Sequence, residues 1–236
     1  VDGGGLAKER VLGFGDYPDD RYSGTSNGDF HKNLLMRSDG VVENFAQGAA
    51  KATFYTLTAN DLSDPEVLTE GVDHSWYGYP EGSKELHPWS GVTKPEFTGP
   101  KEGTKTDWKF LDENGKYSWI KTPKWKGKMA EVGPLSRYII VYTKVKQGII
   151  TAPTWAEKMM VDQIDGVSKV LNLPPEKWML STVGRTAVRG LESQLMAYIA
   201  KYYFEKLVKN IKAGDTTVAN TEKWDPSTWP KEAKGV

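Results

Sequence analysis

The second half of the chain carries apolar residues at helical spacing, and the first half carries short alternating runs. The strongest pattern lies between about Thr182 and Ala213. There Val188, Leu191, Leu195, Tyr198/Ile199 and Tyr202, then Phe204, Leu207, Val208 and Ile211, recur three and four residues apart. This predicts one helix ~45–50 Å long at the usual rise per residue. The stripe drifts and broadens midway, which predicts two covered faces. Gly214 is placed to end the helix and Asp215 to start the exit. A second helix is marked by Met160, Ile164, Val167 and Leu171. Thr154 with Glu157 three residues on forms a capping box at its start. Asn172 ends it, and Pro174-Pro175 blocks continuation and opens a short turn to Leu180. A third begins near Pro134 with Leu135, Tyr138, Ile139 and Tyr142 on one stripe, and Gln147-Gly148 closes it.

The first half reads differently. Val11, Leu12 and Phe14 suit a short strand. Leu34-Leu-Met36 and Val41-Val42 flank Ser38-Asp39-Gly40, which predicts a hairpin turning at Asp39-Gly40. Ala52 to Thr58 alternates threonine with aromatic and apolar residues, as on a half-buried strand. Asp61 to Val72 reads as a connector in which Asp64-Pro65 opens a helical turn carrying Val67 and Leu68. After Asp73-His-Ser-Trp-Tyr77, Tyr79-Pro80 and Leu86–Gly91, the chain to Lys116 is rich in proline, glycine and lysine with no clear period, which predicts a long loop. Residues 117–133 hold Lys121, Lys124 and Lys126 among Trp119, Trp125, prolines and glycines. They read as a shaped loop pinned by its tryptophans, with solvated lysines. The tail from Glu222 to Pro230 reads as an aromatic and proline clamp on neighbouring structure. The class is α+β: β-hairpins and long irregular loops, followed by helices that include one long helix. The compositional seam near Gln147–Thr154 divides a loop-rich 1–147 from a helical 148–236.

Composition narrows the chemistry. Lys+Arg and Asp+Glu are 31 each, so the net charge is zero and no nucleic-acid footprint appears. Cysteine is absent, which excludes disulfides, thiolate metal ligands and a cysteine nucleophile. His31, His74 and His87 lie far apart, and a hydrogen-bonded structural role suits them better than metal ligation. Gly3–Gly5 and Gly13-Phe-Gly15 match no phosphate-loop motif. Asp107, Asp112 and Glu113 beside Trp108 and Trp119 permit a glycan-binding or hydrolytic reading, but no spacing singles out an acid/base pair. Arg185 and Arg189 share a face of the long helix, either salt-bridged or as an anchor between segments. Mean hydropathy is −0.55, yet there are 9 tryptophans and 11 tyrosines. Aromatic residues in so polar a background suit interfaces. With Val1 at the start and Lys234-Gly-Val236 at the end, the chain reads as an internal piece of a longer polypeptide.

A series of motifs carries a resemblance. In order they are Asp73-His-Ser-Trp-Tyr77, Leu86-His-Pro-Trp-Ser-Gly91, Tyr117-Ser-Trp-Ile-Lys121, Pro123-Lys-Trp-Lys-Gly127, Glu131-Val-Gly-Pro-Leu-Ser-Arg137, Ser181-Thr-Val-Gly-Arg185 and Thr221-Glu-Lys-Trp-Asp-Pro-Ser-Thr-Trp-Pro230. Each is weak alone, but together, in this order, they resemble the middle of the large subunit of nickel–iron hydrogenases, nearest the membrane-bound uptake group. The resemblance runs from about Arg10 to Val236.

It implies a fragment of a catalytic subunit whose complete enzyme interconverts H2 with protons and electrons. Family large subunits hold nickel and iron through two CxxC pairs, one near each end, and neither pair is in this sequence. The family's metal-facing arginine and its magnesium-binding terminal histidine also lie outside it. Ala233 stands where relatives often have a cysteine that is not a ligand. The nickel–iron centre with its diatomic ligands, and the magnesium, are therefore expected to be held by the rest of the subunit. No metal ligand and no directly catalytic residue is expected in this chain. By resemblance, Asp73 and Lys121 hydrogen-bond waters on the buried magnesium, and Glu131 joins that polar network. The implied partners are the small iron–sulfur subunit, the remainder of the large subunit and a membrane cytochrome b. The implied location is the periplasmic side of the bacterial inner membrane. A non-catalytic scaffold of the same fold is the alternative.

Overall fold

The structure is a computed structural model that describes residues 10–14, 35–99, 115–217, 219, 221 and 224–232. The first sheet has three antiparallel strands: β1 (Arg10–Gly13), β2 (Gly40–Glu43) and β3 (Thr53–Tyr55), in that order. Val11 pairs with Val42 and Leu12 with Val41. Successive side chains on a strand face opposite ways, and both faces here are buried. Val11 and Val42 enter the main core, while Leu12 and Val41 enter a smaller one with Leu57, Leu62, Trp125 and Ala130.

The hairpin expected across residues 34–42 is not formed. Residues 36–39 are not in a strand, and β2 pairs with β1 and β3 instead. Gly40 has φ +137°, and an added Cβ there would strike the Phe54 ring. The glycine is needed for close approach to β3, so the Asp-Gly signal reported a real constraint but the wrong turn.

The connector after β3 is also more ordered than expected. Thr58 caps a short helix, α1 (Ala59–Ser63), through a reciprocal capping box with Asp61. Asp64 accepts from the Glu66 and Val67 amides, and strand β4 (Leu68–Gly71) follows. The long loop after it contains short strands β5 (Tyr77–Gly78), β6 (Glu85–Leu86) and β7 (Lys94–Pro95). The lysine- and tryptophan-rich stretch forms a hairpin of β8 (Thr122–Trp125) and β9 (Lys128–Met129). Lys126 and Gly127 turn it at φ 49° and 69°, the paired positive angles that match strand twist. The second sheet runs β6-β4-β8-β9, and β5 pairs with β7 apart from it.

The helices follow the sequence pattern closely. They are α2 (Pro134–Lys146), α3 (Trp155–Leu171), α4 (Pro175–Trp178) and α5 (Thr182–Lys212). The α3 capping box forms, and Asn172 ends that helix at φ 53°. Helix α2 is buried from Leu135 to Lys144 except at Arg137, which marks it as the central helix. It packs on β1 and β2 and on α3 and α5. The main core thus joins β1 and β2 to all the longer helices. The long helix α5 buries Gly184, Val188, Leu195 and Ile199 near its start, while Tyr198, Phe204, Leu207 and Ile211 are at least half exposed. One of the two faces expected to be covered is therefore open. Trp224 and Trp229 in the tail are also more than half exposed. The glycine-rich start and the carboxylates Asp107, Asp112 and Glu113 lie outside the described residues, as do His31 and Ala233.

Candidate functional site

The pairing of β4 with β8 positions two of the three expected site residues. Its register sets Gly71 opposite Thr122 and Glu70 opposite Pro123. Asp73 and Lys121 therefore leave the same end of the ladder on adjacent strands. The Lys121 ammonium donates to Glu70 Oε2 at 3.0 Å and lies 5.7 Å from the centre of the Tyr77 ring. The Asp73 carboxylate is 3.7 Å from the Lys84 ammonium and is exposed. Asp73, Tyr77, Tyr79, Lys84, Glu96 and Lys116 line a cavity of about 200 Å3. Lys116 donates to Glu96 Oε2 at 2.7 Å and to the Tyr77 carbonyl at 3.2 Å.

A second ion pair lies on the same sheet. Lys124 donates to Glu85, which also accepts from the Thr69 hydroxyl. Burial pushes the Glu85 carboxyl up, but these two hydrogen bonds and the lysine charge outweigh it and hold it below its ordinary value. The Tyr79 hydroxyl donates to the Glu70 carbonyl at 3.1 Å, and burial beside Glu70 and Glu85 raises its phenol.

Glu131 is placed elsewhere. Its backbone bridges to β1: the Leu12 amide donates to its carbonyl at 2.8 Å, and its own amide donates to the Arg10 carbonyl at 3.1 Å. Its carboxylate is gripped by Arg185 from α5 in a bidentate pair with nitrogen–oxygen distances of 2.7–2.9 Å. Both side chains are largely buried, at 12% and 18% exposure. The hydrogen bond to Glu131 raises the Arg185 guanidinium above its usual value, with burial opposing. No hydrogen bond or ion pair among the described residues joins Glu131 to Asp73 or Lys121.

The two described histidines are structural. His87 is buried; its Nδ1 accepts from the Trp89 amide at 3.0 Å, and its Nε2 meets the Leu62 carbonyl at 2.8 Å. His74 Nδ1 meets the Gly115 carbonyl at 2.8 Å, and its ring stacks on Tyr117. Sequence reasoning missed Glu70 and Glu85 as partners of the lysines. It also missed the contact of Arg37 with Glu157. Glu70 and Glu85 sit in short strands with no periodic signal, so only pairing register could find them.

Chemically, the site orients charge and hydrogen bonds but offers no soft-metal donors. The sequence has no cysteine, and the described residues contain no group of three or more histidine or carboxylate side chains able to hold a metal ion. Nickel in a thiolate-rich centre therefore does not fit the donors of this chain.

The sequence model for nickel-dependent hydrogenase matches residues 4–236, and the chain belongs to that family. It is 44% identical over 236 residues to the uptake hydrogenase large subunit of Rhizobium leguminosarum bv. viciae, covering 99% of this chain and 35% of that protein. It is 42% identical to the uptake hydrogenase large subunit of Rhodobacter capsulatus, with the same coverage. It is 37% identical over 235 residues to the hydrogenase-1 large chain of Escherichia coli K12, again covering 99% of this chain and 35% of that protein. The chain thus spans about one third of the length of these relatives. Among the described residues no helix is long and apolar enough to cross a membrane.

Proposed function

We propose that this chain forms the central part of a nickel–iron hydrogenase large subunit. The whole enzyme interconverts H2 with two protons and two electrons. The observation that carries this reading is the family match along residues 4–236. The nickel–iron centre, with its diatomic ligands, supplies the H2 chemistry when bound, and its thiolates come from segments outside this chain. The electrons pass to a small subunit carrying iron–sulfur clusters, and from there to a membrane cytochrome b. The name "uptake hydrogenase" borne by relatives supports placing the complex on the membrane, and the resemblance to the uptake group suggests its periplasmic side.

Within that enzyme the chain supplies scaffold, part of the subunit interface and hydrogen-bonded support. Asp73 and Lys121, side by side at one end of the β4–β8 pair, orient water on a magnesium held by the rest of the subunit. Glu131, paired with Arg185, ties the segment before α2 to α5 and supports the scaffold rather than the Asp73–Lys121 region. The open stripe of α5 packs against further helices of the large subunit. A second reading is a scaffold or interaction module that keeps this fold without binding the metal.

The test is the full-length large subunit matured with its small subunit, assayed for nickel content and H2-dependent reduction of an artificial acceptor. Stoichiometric nickel with H2-dependent reduction is expected. A folded complex with neither would leave the scaffold reading. In the active complex, Lys121→Ala is expected to lower turnover by tenfold or more, on the scale of about 10–100-fold for losing a hydrogen bond that orients a metal's own ligands. Unchanged turnover and metal content would remove Lys121 from this role.

A further inference from the structure

Four buried side-chain polar atoms among the described residues have no hydrogen-bond partner, and two of them fall on the consecutive residues Ser75 and Trp76. The Ser75 side chain is 1% exposed. Buried polar groups are normally paired, so an orphan in a folded site marks a partner that the described residues do not provide. The surroundings sharpen this. The Ser75 amide donates to the Val72 carbonyl at 3.1 Å, closing the turn that carries Asp73. Ser75 bridges to Ser118, and the Trp76 amide donates to the Ser118 carbonyl at 2.8 Å, which ties this turn to the segment leading to Lys121. The polar groups close by are already used. His74 Nδ1 is held by Gly115, the Ser118 hydroxyl by the Ile120 backbone, and Lys121 by Glu70. The Trp76 ring is itself fixed edge-on between Phe97 and Trp119, at 4.8 and 5.4 Å, so its indole N–H cannot turn freely to seek a partner.

An indole N–H only donates, and a serine hydroxyl can donate. Trp76 therefore lacks an acceptor, and an oxygen acceptor would satisfy Ser75 as well. We propose that Ser75 and Trp76 are positioning residues of the same polar support as Asp73 and Lys121, each donating to an oxygen acceptor that lies outside these 236 residues. This rests on the proposed hydrogenase function. The acceptor is either an ordered water or a carbonyl or carboxylate of another segment of the large subunit. Either would connect the Asp73 turn to the rest of the site, and Ser75 would then fix the direction in which Asp73 presents its carboxylate.

A crystal structure of the full-length complex tests this directly. An oxygen from water or from a residue outside this chain is expected within hydrogen-bond distance of both Ser75 Oγ and Trp76 Nε1, and its identity separates the two sources. Partners drawn wholly from these 236 residues would overturn the proposal. In solution, Ser75→Ala and Trp76→Phe in the complex are expected to lower turnover severalfold and shift its pH profile, with the KM for H2, nickel content and melting temperature retained. Ser75→Thr, which keeps the hydroxyl, is expected to restore most of the loss. If Lys121→Ala impairs turnover while Ser75→Ala leaves turnover and pH profile unchanged, this inference alone fails. If both variants behave as wild type, the assignment of Asp73 and Lys121 fails with it.

Discussion

The Glu131 carboxylate is committed to Arg185. A largely buried pair of this kind is weak evidence of net stabilisation, but removing one partner strands the other. Glu131→Ala in the full-length subunit is expected to cost about 3 kcal/mol for that reason. Urea unfolding would show it, and an unchanged midpoint would mean that Arg185 finds water or another acceptor. Glu157 gives a pH signature. It is fully buried at the start of α3 and accepts from the Arg37 side chain, the Arg37 amide and the Thr154 amide. Burial pushes its carboxyl up, yet these hydrogen bonds and the arginine charge outweigh burial and hold it below 4.5. A carboxylate depressed by folding contributes stability that is complete above its unfolded value and is lost as pH falls through its folded value. Between pH 7 and acid conditions below about pH 4.5, wild type is expected to lose more stability than Glu157→Gln. Parallel acid limbs for the two proteins would contradict this. The sequence showed Glu157 as half of a capping box; Arg37, 120 residues away, was visible only in space.

The helices were legible because their signals are local. The cap at Thr154, the stop at Asn172 and Pro134 at a helix start each act within one turn. The β-region was less legible because strand pairing is set by residues far apart. Asp39-Gly40 resembles a hairpin turn, but its glycine serves the approach of Phe54 from β3. Helix α5 holds a further case where context reverses a local rule. Alanine normally exceeds glycine in a helix interior by about 1 kcal/mol. At Gly184 a Cβ would run into the carbonyls of Trp178 and Met179. Gly184→Ala is expected to destabilise by about 1–3 kcal/mol, the usual cost of overpacking. Gly190→Ala, with nothing within 4 Å, is expected to be neutral or stabilising by up to about 1 kcal/mol. Equal melting temperatures for the two variants would show that the turn before α5 yields.

At the scale of the whole molecule, one core joins the three-stranded sheet to the helices, while large apolar side chains remain open on α5, on the Phe97–Trp119 stack and in the tail. Open apolar surface of this kind seeks a partner. The 236 residues expressed alone are expected to unfold without a sharp transition or to self-associate. A cooperative, monomeric melt, checked by calorimetry and sedimentation, would show that the segment is an independent domain. Some properties needed no structure. The absence of cysteine rules out thiolate ligation by this chain, the ordered motifs place it in its family, and the 3.6-residue periodicity located the three long helices after residue 133. These are matters of residue type and of spacing along the chain. Tertiary structure alone decided that Asp73 and Lys121 leave one end of a strand pair, that Glu131 turns to Arg185, and that the Ser75 hydroxyl and the Trp76 indole N–H are buried without a partner among the described residues. Each depends on which distant strand or helix lies alongside, and that is fixed by burial and pairing across the whole fold.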